Sequence, residues 1–258
     1  MGAPDCAAMT ALIFFCDFRV AGRQHGAAAI EFAVAGAIVL LVGLLSVEAA
    51  RWHGARQIAQ LALMEAARAG ATNHGDPSRM RTAFLEALLP LHADADGQPG
   101  AWRRLDRTMA DMKTLMGAPP WRLEVLLPDD QSFRQHGRPG LSVAAAPDLR
   151  TIDNGFQDLQ HARRPPRPGG QDIFLANTLR LRLTYLHKPL LPPLRALLTV
   201  LGRQDGSYTG HALAKGLLPL EVELEQEMHS HPVDWAQRRP HPEGVVYGDC
   251  RRMQCDSR

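Results

Sequence analysis

An uncharged segment near the N-terminus restricts the folds that this chain can adopt. No charged residue occurs from Phe32 to Val47, and the apolar run extends back to Ala27 with Glu31 as its only charge. At about 1.5 Å per residue, a helix over this run is about 31 Å long, which matches the hydrocarbon core of a bilayer. The sequence therefore predicts one membrane-spanning helix. The alternative, a buried helix of a soluble domain, is expected to be shorter and to carry polar positions.

The rest of the chain has the composition of a folded domain. The 258 residues are 45% hydrophobic and 22% charged, with a formal net charge of +2. This small charge gives no indication of a nucleic-acid partner. No second run reaches spanning length, because the apolar segment 190–201 is short and contains two prolines and Arg195. Such a segment is typical of a helix on a protein core or on a membrane surface.

The charges beside the span favour one orientation. Arg19 and Arg23 precede it, and short basic flanks stay in the cytoplasm, although Arg51 and Arg56 follow the span closely. We therefore expect a single-pass protein with a cytoplasmic N-terminus and an external C-terminal part.

The first residues leave other interpretations open. Their weakly apolar stretch would also suit a secretory signal, a lipoprotein leader ending at Cys16, or an overlong start before Met9. Phe14 and Phe15 stand where a lipoprotein leader needs small residues. A secretory cleavage site should follow the apolar core directly, whereas the main apolar run lies further on.

The most specific motif is GAAAIEF, in which Gly26 is followed by four small or apolar residues and then by Glu31 and Phe32. It resembles the processing site of type IV prepilins, in particular those of the tight-adherence (Flp or Tad) branch. The longer string RQHGAAAIEFAVAGAIVLLVGLLSVEAARW, followed by ARQIAQLALMEAARAGAT, is similar to the TadE-like family of minor, pilin-like proteins. This resemblance covers about 45 residues and then fades.

A weaker similarity lies near the other end of the chain. The segments ANTLRLRLTY and LPLEVELEQEMHSHP resemble the strands that close TadE-like chains. In that family Met-Gln-Ser often stands in the place of Met228, His229 and Ser230.

The resemblance implies a processing event. A membrane aspartyl prepilin peptidase would cut between Gly26 and Ala27 on the cytoplasmic face, which makes Ala27 the new amino terminus. Positions four apart share a helix face, so the Glu31 carboxylate would lie near the Ala27 amine or that of a neighbouring subunit. A carboxylate in lipid is tolerable when paired, so we expect Glu31 to select one register of assembly. A Glu31 that is merely solvated among the headgroups is the alternative.

The family also implies a function and a location. We expect a minor pilin or pseudopilin in a bacterial inner membrane, with a periplasmic domain, that takes part in assembly of a tight-adherence pilus. The implied partners are the prepilin peptidase, other pilin-like subunits, the inner-membrane assembly platform and membrane lipid. No cofactor and no nucleic acid is implied.

Enzymatic motifs do not stand out in the sequence. It contains no Gly-rich phosphate loop, no G-x-S-x-G elbow and no H-E-x-x-H. We expect a protein that is not an enzyme. A signal-anchored periplasmic enzyme or sensor domain, or a signal-anchored protein without cleavage, is the alternative.

Hydrophobic periodicity predicts an α+β fold, with one long N-terminal helix that extends into helices packed on a small antiparallel sheet. The long helix continues beyond Arg51 with apolar residues such as Leu61 and Met64 at helical spacing. Two further helices are predicted over 78–93, with Ser78 as the N-cap candidate, and over 102–117.

Three segments alternate with period two and predict the strands, which begin at Trp121, Leu179 and Leu220. Their apolar faces would cover the helices and their charged faces would meet water. We expect Arg180 and Arg182 to pair across strands with Glu221 and Glu223.

The predicted organisation has five parts. They are a leader (1–26), a transmembrane helix (27–50), a helical extension with two helices and the first strand (51–128), a long disordered loop (129–171) and a β-rich C-terminal part of the same periplasmic domain (172–258). The loop is rich in Gly, Pro and charge without a sustained period, so it is expected to be disordered or functional.

Two cysteines near the C-terminus predict a bond. Cys250 and Cys255 lie close together in the part expected outside the cell, where a disulfide persists and closes a small loop. His229, His231 and His241 lie nearby in the sequence, but these cysteines and histidines lack a recognised zinc-ligand spacing. We therefore expect no metal site.

Overall fold

The first helix belongs to both parts of the molecule. A computed structural model describes residues 25–166, 168–202 and 205–255, and the chain divides into two units, Met1–Leu44 and Leu45–Arg258. Helix α1 covers His25–Thr72 and contains no proline. Among the described residues, its part Ala29–Thr72 is the helix long and apolar enough to cross a bilayer. The predicted long N-terminal helix is thus confirmed, and it fits single-pass membrane anchoring.

The second unit is built from short helices and a sheet. Its elements after α1 are helices α2 (Pro77–Ala87), α3 (Gly97–Met116), α4 (Asp130–His136), α5 (Gln157–Arg163), α6 (Ile173–Ala176), α7 (Pro192–Leu201) and α8 (Tyr208–Ala214), and strands β1 (Trp121–Leu127), β2 (Thr178–His187), β3 (Leu218–Glu227) and β4 (Val245–Tyr247). Short 3₁₀ turns cover Leu89–His92 and Trp235–Gln237. The α+β class predicted from the sequence is confirmed.

The described strands form one sheet in the order β3-β2-β1-β4. β1 and β3 pair antiparallel with β2, whereas β4 pairs parallel with β1. The sheet is therefore mixed rather than purely antiparallel. β4 has only three residues, too few for an alternating pattern to predict it.

Alanines form the buried face of α1 in the second unit. Ala59, Ala62, Ala66 and Ala67 have no exposed surface and share one core with the apolar residues of the sheet. The larger Leu61 and Met64, which recur at helical spacing in the sequence, are about half exposed. Small side chains let helix and sheet approach closely, so dense packing here favours alanine over leucine.

Helices α2 and α3 pack onto the same core. Phe84 of α2 lies against Trp121 of β1, with ring centroids 4.8 Å apart. The cap of α2 is Asp76 rather than Ser78, since the Asp76 carboxylate accepts the backbone N–H of Ser78 at 2.8 Å. Pro77 at the first helical position explains the shift. Helix α3 ends before Gly117, which has φ +69° and is the predicted end.

The segment 129–171 differs from the predicted disordered loop. Its described residues include α4 and α5, and Phe133 and Ile152 are buried in a small cluster beside α6. The Ile152 N–H donates to the carbonyl of Pro232 at 2.9 Å. This partner lies far along the chain, so local composition gives no signal of it.

Two glycines of α1 give a matched test of the close helix packing. At Gly70 an added Cβ would lie 2.7 Å from Leu179 Cδ2 and Met80 Sδ, whereas at Gly54 nothing lies within 4 Å. We expect Gly70→Ala to lower the free energy of unfolding by about 1–3 kcal/mol through overpacking. Gly54→Ala should raise it by about 0.5–1 kcal/mol, because alanine favours helix.

The measurement is urea unfolding of the full chain in detergent micelles, followed by tryptophan fluorescence. Shifts of the same sign in both variants would contradict the proposed close contact at residue 70.

Candidate functional site

The predicted processing motif lies at the start of the described helix. α1 begins at His25, so the backbone at Gly26 and Ala27 is helical. Glu31 and Phe32 are exposed, Phe32 to 79%. Positions 27 and 31 stand one helical turn apart on the same face, as the predicted pairing requires.

A second acidic residue, which the sequence analysis did not single out, lies just after the uncharged run. Glu48 is only 5% exposed. Its carboxylate accepts the backbone N–H of Leu190 at 2.8 Å and lies 3.4 Å from His187 Nε2. Arg51, one turn further on, lies 3.8 Å away. The connection after β2 is therefore fixed to α1 at the point where the uncharged run ends.

The electrostatics of this site favour one charge state for the histidine. Burial lowers the pKa of His187 below its ordinary value, Glu48 partly offsets this effect, and the nearby Arg51 lowers the pKa further. This environment favours the neutral form of His187, and the permanently charged neighbour of the Glu48 carboxylate is Arg51. The only available sequence signal was an acid directly after the span, with an arginine three residues later.

The other end of α1 is held by the segment that resembles the family's closing motif. Ser230 Oγ donates to the carbonyl of Ala71 at 2.8 Å and accepts the N–H of His74 at 2.7 Å. The His229 N–H also donates to Ala71, at 2.9 Å, and Trp235 Nε1 donates to the carbonyl of His74. A helix end leaves carbonyls without intrahelical partners, and this segment provides donors for that of Ala71. Residues near the C-terminus thus close the helix that begins near the N-terminus.

The charged face of the sheet is covered on β1 and at Arg182, whereas the glutamates of β3 remain exposed. Arg182 contacts Glu124 at 3.1 Å, Glu223 at 2.5 Å and Asp249 at 2.6 Å, and both Arg182 and Glu124 are buried. Burial raises the pKa of Glu124 although Arg182 opposes this shift, while the hydrogen bond from Arg182 lowers the pKa of Asp249. The covering segment comes from the C-terminus, which strand patterns could not predict.

One of the predicted cross-strand pairs differs in its register. Arg182 lies opposite Glu223 as one of the expected pairs, but Arg180 lies opposite Glu225. Glu221 lies opposite Thr184 and forms an ion pair with Arg251 at 3.0 Å. In the observed antiparallel register Arg180 faces Glu225, so Glu221 has no arginine opposite it on β2.

The covering segment also contains the two cysteines. Cys250 and Cys255 are joined by a disulfide, with Cα atoms 5.8 Å apart. Arg122, buried on the same face, donates to the carbonyls of Cys250, Arg252 and Met253. The small disulfide loop thus presents carbonyl oxygens to a buried cation. Within the described ranges, no group of three His, Cys, Asp or Glu side chains is placed to hold a metal ion.

Most of α1 matches the model of a known protein family. Residues 26–68 match the family model described as TadE-like protein. The match begins at the glycine of the predicted processing site and continues through the apolar run into the buried part of α1. No curated protein and no solved structure matches the chain.

Removal of the Glu48 carboxylate tests the contact after the span. Glu48→Ala leaves the partly buried N–H of Leu190 without its acceptor, which should lower the free energy of unfolding by about 1–3 kcal/mol. It should also accelerate hydrogen exchange at the Leu190 amide, measured by mass spectrometry in micelles. The control is Glu65→Ala, since Glu65 lies on the same helix in an exposed pair with Arg68 and such pairs contribute little. Equal exchange rates at Leu190 in the two variants would contradict this role of Glu48.

Proposed function

Because the chain is TadE-like over residues 26–68, we propose that it is a minor pilin or pseudopilin that takes part in assembly of a tight-adherence pilus. One observation carries the proposal: the family match begins at Gly26, in the first turn of an apolar helix that continues without a break to Thr72. A pilin-like subunit needs this combination of a processing glycine, a span and a helical stalk.

The proposed maturation step is cleavage of the Gly26–Ala27 peptide bond by a prepilin peptidase. Glycine lacks a side chain, so the backbone can unwind and extend into a protease cleft at low steric cost. Hydrolysis leaves the leader with a new carboxylate and leaves Ala27 with a free amine. In this proposal the leader stays in the cytoplasm, and the mature chain stays in the inner membrane.

In this proposal, the Glu31 carboxylate favours assembly of the mature helix with other subunits. A lone acid in hydrocarbon costs roughly 2.5–3.5 kcal/mol on insertion scales. The amine of Ala27, in the same subunit or in a neighbouring one, neutralises it only when the helices stand in one register. Large exposed apolar residues of the first unit, including Phe32, Val39 and Leu40, then contact lipid or other pilin-like subunits.

We assign the second unit a structural role rather than a catalytic one. Two hydrogen bonds attach α1 within this unit: the N–H of Leu190 donates to Glu48 after the span, and Ser230 donates to the carbonyl of Ala71. We propose that it presents this stalk to other pilin-like subunits and to the inner-membrane assembly platform, with the sheet on the periplasmic side.

Replacement of Gly26 tests the processing step. Gly26→Val should block cleavage, because its bulky side chain prevents the close approach of the backbone to the protease cleft that glycine allows, and the precursor should accumulate. The control is Gly36→Val in the same helix, where an added Cβ has nothing within 4 Å, and this variant should mature normally. The measurement is N-terminal sequencing of protein from host membranes with and without the peptidase. An N-terminus other than Ala27 in cells with active peptidase would overturn the proposed site.

Replacement of Glu31 tests the assembly step separately. Glu31→Ala should leave insertion and cleavage intact but reduce pilus number strongly, as counted by electron microscopy in a strain that lacks the native gene. Glu65→Ala, an exposed acid further along α1, should leave pilus number unchanged. Normal piliation by the Glu31 variant would remove the carboxylate from the assembly mechanism.

A further inference from the structure

Helix α7 exposes an apolar stripe that the proposed function does not use. Pro193, Ala196, Leu197, Val200 and Leu201 are exposed and recur at the spacing of one helical face. Leu197 is 55% exposed and Val200 is 81% exposed. The helix contains no acidic residue. A free helix face in water is normally polar, so this stripe indicates an apolar partner.

The opposite side of α7 is already in use. Leu198 is buried, and the helix ends at Gly202, where the backbone of Ala214 in α8 leaves no room for a side chain. Beyond α8, Gly216 approaches Arg195 so closely that an added Cβ would lie 3.2 Å from the Arg195 Cβ. Packing on α8 therefore fixes α7 with its apolar stripe outward.

The start of α7 is tied to the end of the span. Leu190 lies two residues before the helix and donates its N–H to Glu48 at 2.8 Å. Glu48 directly follows Val47, the last residue of the uncharged run. This partly buried hydrogen bond ties the segment before α7 to the residue that directly follows the uncharged run.

Cationic side chains lie near the hydrogen bond between Leu190 and Glu48. A cleft of about 620 Å³ is bordered by Arg51, Lys188 and Arg195. In the part of the chain that the structure describes, the buried Arg195 Nε–H has no acceptor. Lys188 is exposed at the start of the same connection. Phosphate oxygens of lipid headgroups complement such a group of cations.

We propose that α7 lies on the membrane surface. Its stripe enters the boundary between headgroups and acyl chains, and Arg51, Lys188 and Arg195 face lipid phosphates, as in interfacial amphipathic helices. This inference requires the span to be in a bilayer but does not require cleavage or piliation. A second copy of the chain is the competing occupant of the stripe. The hydrogen bond to Glu48, directly after the uncharged run, and the surrounding positive charge favour lipid.

Three leucines of equal exposure provide the test. Leu41 in the span is 54% exposed, Leu197 on α7 is 55% exposed, and Leu159 on α5 is 54% exposed. Each is replaced separately, as Leu41→Cys, Leu197→Cys or Leu159→Cys, in the full chain with the leader cysteines Cys6 and Cys16 changed to serine. The cysteine is labelled with the fluorophore NBD. Each protein is placed in nanodiscs of phosphatidylcholine and phosphatidylglycerol at one copy per disc, with and without lipid that carries a nitroxide near the headgroup.

The expected result is a blue-shifted emission and a loss of fluorescence with nitroxide lipid at positions 41 and 197, but not at 159. A second change, Val200→Glu, should remove the loss at position 197 and leave that at position 41. Absence of quenching at 197 with quenching at 41 would overturn the proposal while leaving the anchor intact. Quenching at none of the positions would remove the anchor itself, and the proposal with it. Equal quenching at 197 and 159 would also overturn it, since contact would then not be specific to α7.

Discussion

The close contact between α1 and the sheet is the interaction on which the second unit depends. Alanines with no exposed surface form the contact face of the helix, and Gly70 meets Leu179 and Met80 without room for a methyl group. A helix fixed so tightly cannot rotate about its axis without separating from the core, because densely packed interiors tolerate little displacement. The domain therefore determines which face of the stalk stays exposed, including Leu61 and Met64.

The sequence predicted the elements that repeat within a short window and missed those that depend on distant partners. The span, three strands and the helix that ends before Gly117 follow from periodicity and glycine position. β4, the buried segment around Ile152 and the covered charged face depend on contacts with residues many positions away. The alanine face of α1 has a different reason: helical spacing does not separate buried alanines from the exposed Leu61 and Met64, whereas close packing selects small side chains.

For the candidate site, sequence similarity pointed to the proposed processing motif but not to Glu48. Gly26, Glu31 and Phe32 form a recognisable string, and the family match begins at that glycine. Glu48 belongs to no recognisable motif. Its partner His187 is the last residue of β2, and its partner Leu190 follows three residues later. A buried acid beside a membrane span becomes informative only when its hydrogen-bond partner is known, since an isolated acid at this position would simply be solvated.

The two ends of the domain-bound part of α1 are held by residues distant in sequence, and this has a mechanical consequence. Glu48 contacts the connection before α7, and Ala71 contacts Ser230 after β3. β2 and β3 pair along ten residues, so the two contact points are linked through the centre of the sheet. An axial displacement of α1 would have to break both contacts together or move the sheet with the helix. If the whole second unit moves together with α1, no internal contact breaks. An axial force on α1 is therefore expected to move the unit as one rigid body. This behaviour suits a subunit that must keep its shape while it is drawn into or out of an assembly.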